Sequence, residues 1–118
     1  MAHSITDWTP VCRVEDLEVG RGKAALVHGQ SLALFLAGDG EVYALANHDP
    51  YSRGSVLARG LVGTREGVPV VGSPWHGHVF ELATGACVSD RHVRITTYAV
   101  RVVDGMVEVG PSARSGVA

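Results

Sequence analysis

Two short segments place several side chains that can bind a metal ion close together in the sequence. They are Asn47-His48-Asp49 and Ser73-Pro74-Trp75-His76-Gly77-His78. Imidazole and carboxylate groups bind zinc or non-haem iron when they converge, and in an extended segment His76 and His78 point to the same side. A catalytic zinc needs three protein ligands in fixed geometry, and no third ligand follows these two in register. We therefore expect hydrogen-bonded loop histidines and no metal centre. The metal candidates are His48, Asp49, His76 and His78.

The two cysteines lie outside both segments. Cys12 follows an apolar start, and Cys87 lies between Ala86 and Val88. A reactive thiol needs an electropositive, partly open setting, so we expect both cysteines to be buried, inert thiols. The sequence shows no nucleophile–base pair, no phosphate-binding glycine-rich loop that opens a helix, and no paired carboxylates for acid–base catalysis. We predict that this chain carries no catalytic residue.

The composition describes one ordinary globular domain. The 118 residues, 46% of them hydrophobic and 19% charged, suffice for a core without disulfides or metal. A net charge of −2 argues against nucleic-acid binding, and no apolar run reaches the roughly 20 residues of a membrane helix. The N-terminus lacks a secretory pattern, and two cysteines are too few for a disulfide framework. We expect a cytoplasmic protein that binds neither nucleic acid nor membrane.

Short strands, not helices, must position the two segments. Apolar runs at 24–27 and 31–36 flank a tight turn, and a third run at 41–45 extends them into an antiparallel meander. Asp104-Gly105 supplies the positive φ angles of a type I′ hairpin turn. On the strand before this turn, alternation predicts that Tyr98, Val100 and Val102 form the buried face. The best helical candidate is a single turn at 14–17, so the fold class is all-β.

The region between the two segments differs from the rest. Residues 49–67 contain one proline, four glycines and three arginines, which is typical of a long functional or disordered loop. We divide the chain into an N-terminal tail at 1–7, a domain at 8–110 and a flexible C-terminal tail at 111–118.

The two segments resemble the ligand loops of a Rieske iron–sulfur domain. Such a domain holds a [2Fe-2S] cluster with two thiolates on one iron and two imidazoles on the other, in a C-x-H loop followed by a C-x-x-H loop. Here Asn47 and Ser73 stand at the thiolate positions, Asp49 stands at one imidazole position, and only His76 is retained. An amide and a hydroxyl cannot replace thiolates. The resemblance implies a Rieske-like antiparallel β-sandwich of short strands, with two loops in the cluster-binding positions and no cofactor on this chain.

Further segments make the resemblance more specific. They lie in order across roughly residues 8 to 109 and include 8–12, 42–50, 56–63, 70–76, 84–87 and 98–102. With them, the chain resembles the small subunits of assimilatory NAD(P)H-dependent nitrite reductases, a Rieske-like family that lacks the cluster. This resemblance implies a large-subunit partner that carries FAD, an iron–sulfur cluster and sirohaem and reduces nitrite to ammonium in nitrate assimilation. The small subunit would then be an accessory subunit with a structural or docking role.

The resemblance leaves the docking surface open. Aromatic and aliphatic anchors inside a polar rim are typical of protein interfaces, and the loop face offers both, so we expect it to dock on the large subunit. Its candidate residues are Tyr51, Arg53, Leu57, Arg59, Leu61, Arg65 and Trp75. Alternatively, Leu57 and Trp75 fill the space that a cluster would occupy. A stand-alone Rieske-like ferredoxin and a binding module that reuses the scaffold are the competing functions.

Overall fold

The computed structural model describes residues 7–74 and 77–114. Within these ranges the chain forms nine strands and two single 3-10 turns, at Val14–Asp16 and Leu57–Arg59. The strands are β1 Thr9–Arg13, β2 Gly22–Val27, β3 Gln30–Leu36, β4 Val42–Ala46, β5 Leu61–Arg65, β6 Val68–Gly72, β7 Val79–Glu81, β8 Thr97–Val103 and β9 Met106–Arg114. The all-β prediction is confirmed. None of the described helical segments is long and apolar enough to cross a membrane.

The strands form two antiparallel sheets. Six of them lie in the order β1-β9-β8-β4-β3-β2, and the other three lie in the order β5-β6-β7. The two loops that resemble cluster ligands connect different parts of this arrangement. The first follows β4 in the large sheet, and the second joins β6 to β7 in the small sheet. Any contact between the loops therefore ties one sheet to the other.

Strand β3 lies at the centre of the core and is buried on both faces. Leu32 and Leu34 belong to one hydrophobic cluster, while Ala33 and Phe35 belong to another, as the alternation of side chains along a strand requires. The second cluster also receives side chains from the small sheet and the Leu57–Arg59 turn. Burial on both sides explains why this segment of the sequence is a continuous apolar run.

The hairpin turns follow the local chemistry of the sequence. Asp104-Gly105 has φ angles of 51° and 79°, so the predicted type I′ geometry is confirmed. His28-Gly29 and Glu66-Gly67 have φ angles of the same sign. Tyr98 and Val100, on the predicted buried face of β8, are only partly buried against the core, and the prediction is wrong for Val102, which is 48% exposed. The reason is that β8 pairs with β4 only through its first two residues, so its far end has no such neighbour.

Two expectations about irregular structure are corrected. Residues 49–67 do not form one long loop, because they include the Leu57–Arg59 turn and all of β5, which pairs with β6 along its whole length. The feature of the sequence that indicates a β5–β6 hairpin is the Glu66-Gly67 turn between two short segments. At the C-terminus, β9 continues beyond the expected domain boundary at residue 110 to Arg114 and stays paired with β8. Residues 1–6 and 115–118 of the predicted tails lie outside the described residues.

Candidate functional site

The first loop is organised by the buried amide of Asn47. Its Nδ2 donates to Ser31 Oγ at 3.1 Å and to the Ser55 carbonyl at 3.3 Å, and its Oδ1 accepts from the Ala58 backbone N–H at 2.7 Å. The polar atoms of the amide are therefore bonded to β3, to the loop after β4 and to the Leu57–Arg59 turn. At the position that resembles a thiolate ligand, this residue has become a structural link within the protein.

The second link joins the two loops directly. Asp49 and Ser73 are both buried, and the Ser73 hydroxyl donates a hydrogen bond to Asp49 Oδ2. The Tyr51 backbone N–H donates to Asp49 Oδ1 at 2.9 Å. Burial by itself raises the pKa of the Asp49 carboxyl, but the hydrogen bonds from Ser73, Tyr51 and Ser52 outweigh it and lower the pKa below its usual value. Donors that stabilise the charged form have this effect, so the loops are held by a buried carboxylate.

Tyr51 connects this link to Cys87. The phenol ring stacks on the imidazole of His78 with centroids 3.6 Å apart, and its hydroxyl donates to Cys87 Sγ at 3.6 Å. That hydrogen bond, followed by burial, raises the pKa of Tyr51 to about 12. His78 also accepts at its carbonyl from the Ser73 N–H at 2.7 Å, which closes the second loop. The Nδ1 atom of His78 is buried and has no hydrogen-bond partner among the described residues.

The two cysteines differ from each other. Cys87 is fully buried, as predicted. Burial raises the pKa of its thiol, but hydrogen bonding with Ser89 and Tyr51 outweighs burial and lowers that pKa below its usual value. Cys12 is only partly buried, which corrects the expectation of burial, and desolvation raises the pKa of its thiol. No sequence pattern predicts the Cys87–Tyr51 contact, since the two residues are 36 positions apart.

The predicted docking residues do not all reach the surface. Arg53 and Arg59 are exposed, and Tyr51 is half-buried. Leu57 is a correction, because it is fully buried in the cluster with Phe35, so its side chain contributes packing and no contact surface. The predicted positions Trp75 and His76 lie outside the described residues.

The side chains of the two loops do not suit a [2Fe-2S] cluster. Asn47, Asp49 and Ser73 offer amide, carboxylate and hydroxyl groups, and these already bond to one another, to Ser31 or to nearby backbone. Iron–sulfur clusters require thiolate ligands on at least one iron. Across the described ranges, no three His, Cys, Asp or Glu side chains are grouped so that they could hold a metal ion. The geometry instead describes two loops tied together by hydrogen bonds.

Comparison with known proteins places this arrangement in a family. The sequence profile of the family described as the Rieske-like [2Fe-2S] domain matches residues 7–110 of this chain. The small subunit of the NADH nitrite reductase of Salmonella typhimurium is 34% identical over 106 residues, which are 89% of this chain and 98% of that protein. The chain belongs to the Rieske-like nitrite reductase small subunits.

Two further comparisons extend this assignment. A crystal structure from Mycobacterium tuberculosis, provisionally named an NADH-dependent nitrite reductase small subunit, superposes with a TM-score of 0.86 at 38% identity and covers 93% of this small subunit and 99% of that chain. The nitrite reductase [NAD(P)H] large subunit of Klebsiella oxytoca is 34% identical over 103 residues, which are 87% of this small subunit and 11% of that protein. One relative therefore contains a similar domain within a much longer chain.

Proposed function

We propose that this small subunit is a non-catalytic accessory subunit of a cytoplasmic NAD(P)H-dependent nitrite reductase. It binds the large subunit and stabilises it, and it carries no redox cofactor. The large subunit holds FAD, an iron–sulfur cluster and sirohaem and reduces nitrite to ammonium in nitrate assimilation. Electron-transfer reactions are carried out by cofactors. The loops of this chain offer hydrogen-bonded hydroxyl, carboxylate and amide groups where a cluster needs thiolates.

The observation that carries this proposal is the match inside the Klebsiella oxytoca large subunit. When a domain resides within a longer chain in one protein and is separate in another, the separate form must bind its partner through a non-covalent interface to keep the same arrangement. Such an interface has a buried apolar centre and a polar rim. This supports association with a large subunit as the main role of the domain.

The loop face is the docking surface that we assign to this role, with Tyr51, Arg53, Arg59 and Trp75 as its residues. Tyr51 is held in place by its stack on His78, which limits the side-chain entropy lost on binding. Arg53 and Arg59 are exposed and form no ion pair within the described residues. Their guanidinium groups are therefore available to carboxylates of a partner.

Co-purification and turnover test the proposal together. The large subunit is produced alone and with this chain, and nitrite-dependent NAD(P)H oxidation is measured for both preparations. We expect the small subunit to co-purify and to raise either the activity or its half-life at the working temperature. Trp75→Ala and Arg53→Glu should weaken co-purification, while the conservative Arg53→Lys should not. Failure of the unaltered chain to bind the large subunit would refute the accessory role, and full binding by both variants would refute the loop face.

A further inference from the structure

We propose that an extended segment of the large subunit, with an apolar side chain flanked by carboxylates, binds in a groove that shares Arg59 and Leu61 with the loop face. This inference rests on the proposed function and names the partner surface that it requires. The groove lies between the start of β2 and the start of β5 and has a volume of about 620 Å³. We call it the β2/β5 groove and define it by Val19, Arg21, Gly22, Ala58, Arg59 and Leu61.

The β2/β5 groove is pre-formed by close backbone packing. A side chain at Gly22 would collide with the Ala58 carbonyl and with Phe35, so this glycine lets β2 approach the Leu57–Arg59 turn. The turn itself is held by Asn47, which accepts from the Ala58 N–H through its side chain at 2.7 Å and from the Leu57 N–H through its carbonyl at 3.1 Å. Asn47, which stands where a Rieske domain has a thiolate ligand, therefore fixes one wall of the groove. A wall that is fixed in advance reduces the entropic cost of binding.

Apolar side chains stand exposed on both sides of the β2/β5 groove. Leu61 is 83% exposed and Val19 is 64% exposed. An isolated β-bridge joins Arg21 to Leu61, so the two walls meet at this point. Exposed apolar groups next to a concave surface favour contact with another apolar group. The central side chain of the bound segment is therefore apolar.

The charge at the β2/β5 groove is positive and weakly compensated. Arg59 is exposed and makes no ion pair with any described residue. Arg21 pairs with Glu18 at 3.4 Å, and both side chains are exposed, so water and salt screen this pair. Guanidinium groups bind carboxylates in a bidentate, directional manner. A partner segment with acidic residues on either side of its apolar one complements both arginines.

The edge of β5 favours an extended conformation of this segment. Within the described residues, β5 pairs with β6 on one side, and on its other side it forms a β-bridge only between Leu61 and Arg21. From Val62 to Arg65 this edge has backbone groups available for a further strand. A segment that leaves the β2/β5 groove along this edge would gain main-chain hydrogen bonds. This continuity with a strand edge favours a peptide segment over a nucleic acid, which would use the arginines alone.

The test measures the dissociation constant between the purified small subunit and the large subunit. We expect Leu61→Asp and Arg59→Glu each to weaken binding about tenfold or more, as for residues at the centre of an interface, while Arg59→Lys stays close to the unaltered chain. Val103→Ser, which removes an exposed valine at the far end of β8, is the matched control for Leu61. Urea midpoints are recorded for every variant, so a loss of folding is recognised.

The possible outcomes separate the two proposals. If the unaltered chain binds and the groove variants bind equally well, the groove inference is wrong while the accessory role stands. If the unaltered chain does not bind the large subunit, the accessory role is wrong, and the groove inference that rests on it is wrong as well. A photo-crosslinker placed at position 61 gives a second readout that does not depend on weakened variants. We expect it to capture a large-subunit peptide that contains Asp or Glu beside an apolar residue, and capture of a peptide without carboxylates, or of nucleic acid, would overturn the stated chemistry.

Discussion

The Ser73 hydroxyl donates a hydrogen bond to Asp49 in the protein interior. The two residues lie on loops that belong to different sheets, 24 positions apart in the sequence. In a Rieske domain the metal cluster joins the corresponding loops, because each loop supplies ligands to it. In this chain a charge-assisted hydrogen bond joins them, and such bonds are stronger than neutral ones. A bond between two side chains therefore ties the two sheets together at this point.

Removal of the Ser73 hydroxyl should destabilise the protein. Ser73→Ala leaves the buried carboxylate of Asp49 without one of its donors, so we expect the free energy of unfolding to fall by about 1.5–3 kcal/mol. Urea unfolding followed by tryptophan fluorescence measures this change. Ser55→Ala is the control, because the Ser55 side chain is exposed and its replacement should change the stability by less than about 0.5 kcal/mol. Equal changes in the free energy of unfolding for the two substitutions would show that the hydrogen bond between Ser73 and Asp49 does not stabilise the fold.

Acid should weaken the same link. The folded-state pKa of Asp49 lies below its unfolded value, so the carboxylate contributes stability that is fully present above the unfolded pKa of about 4. That contribution is lost as the pH falls from about 4 through the lower folded-state pKa. Urea midpoints should therefore decrease over this range, and the decrease should be smaller in Asp49→Asn. An identical acid dependence of Asp49→Asn and the unaltered chain would contradict this assignment.

Titration of Tyr51 should report its bond to Cys87. The hydroxyl donates to the sulfur, which raises the pKa of Tyr51 to about 12. Cys87→Ala removes the acceptor, so we expect the pKa of Tyr51 to move toward the ordinary value of about 10. Nuclear magnetic resonance of labelled tyrosine separates Tyr51 from Tyr43 and Tyr98. Ser89→Ala keeps the Tyr51–Cys87 bond and should leave this pKa near its original value, whereas an unchanged pKa in Cys87→Ala would rule out the bond.

Close packing beneath the β2/β5 groove should make Gly22 intolerant of substitution. The added methyl of Gly22→Ala would collide with the Ala58 carbonyl and Phe35, so we expect a loss of about 1–3 kcal/mol, as for other overpacked sites. Gly63→Ala is the matched control, because nothing lies within 4 Å of the new methyl. Thermal and urea unfolding of both variants compare them. A Gly22→Ala protein as stable as Gly63→Ala would mean that β2 and the Leu57–Arg59 turn do not pack as described.

The sequence predicted those parts of the fold that depend on local chemistry. Asp104-Gly105 specified its own turn, and the apolar run at 31–36 specified a buried strand, because turn geometry and side-chain alternation act over a few residues. The strand β5 was missed, since its residues are mostly exposed and lack an alternating apolar pattern. Its pairing with β6 comes from the tertiary fold, which often overrides weak local preference.

The candidate site was predictable in its positions and less so in its contacts. Asn47, Asp49 and Ser73 were recognised because they replace ligands in a known pattern, and the missing thiolates follow from residue type alone. The partners of Asn47 and Cys87 come from residues far away in the sequence, Ser31 and Tyr51. The sequence leaves Leu57 open between a docking residue and a packed side chain, because an exposed anchor and a core leucine look alike in one sequence. Only the packing around it distinguishes the two.

The most direct measurement is the iron and acid-labile sulfide content of the small subunit purified without oxygen, together with electron paramagnetic resonance of the reduced protein. The two loops are joined by Asp49 and Ser73 and present no thiolate, so we expect far less than one iron per chain and no cluster signal. About two irons and two sulfides per chain, with the spectrum of a reduced [2Fe-2S] centre, would contradict the role of an accessory subunit without a cluster.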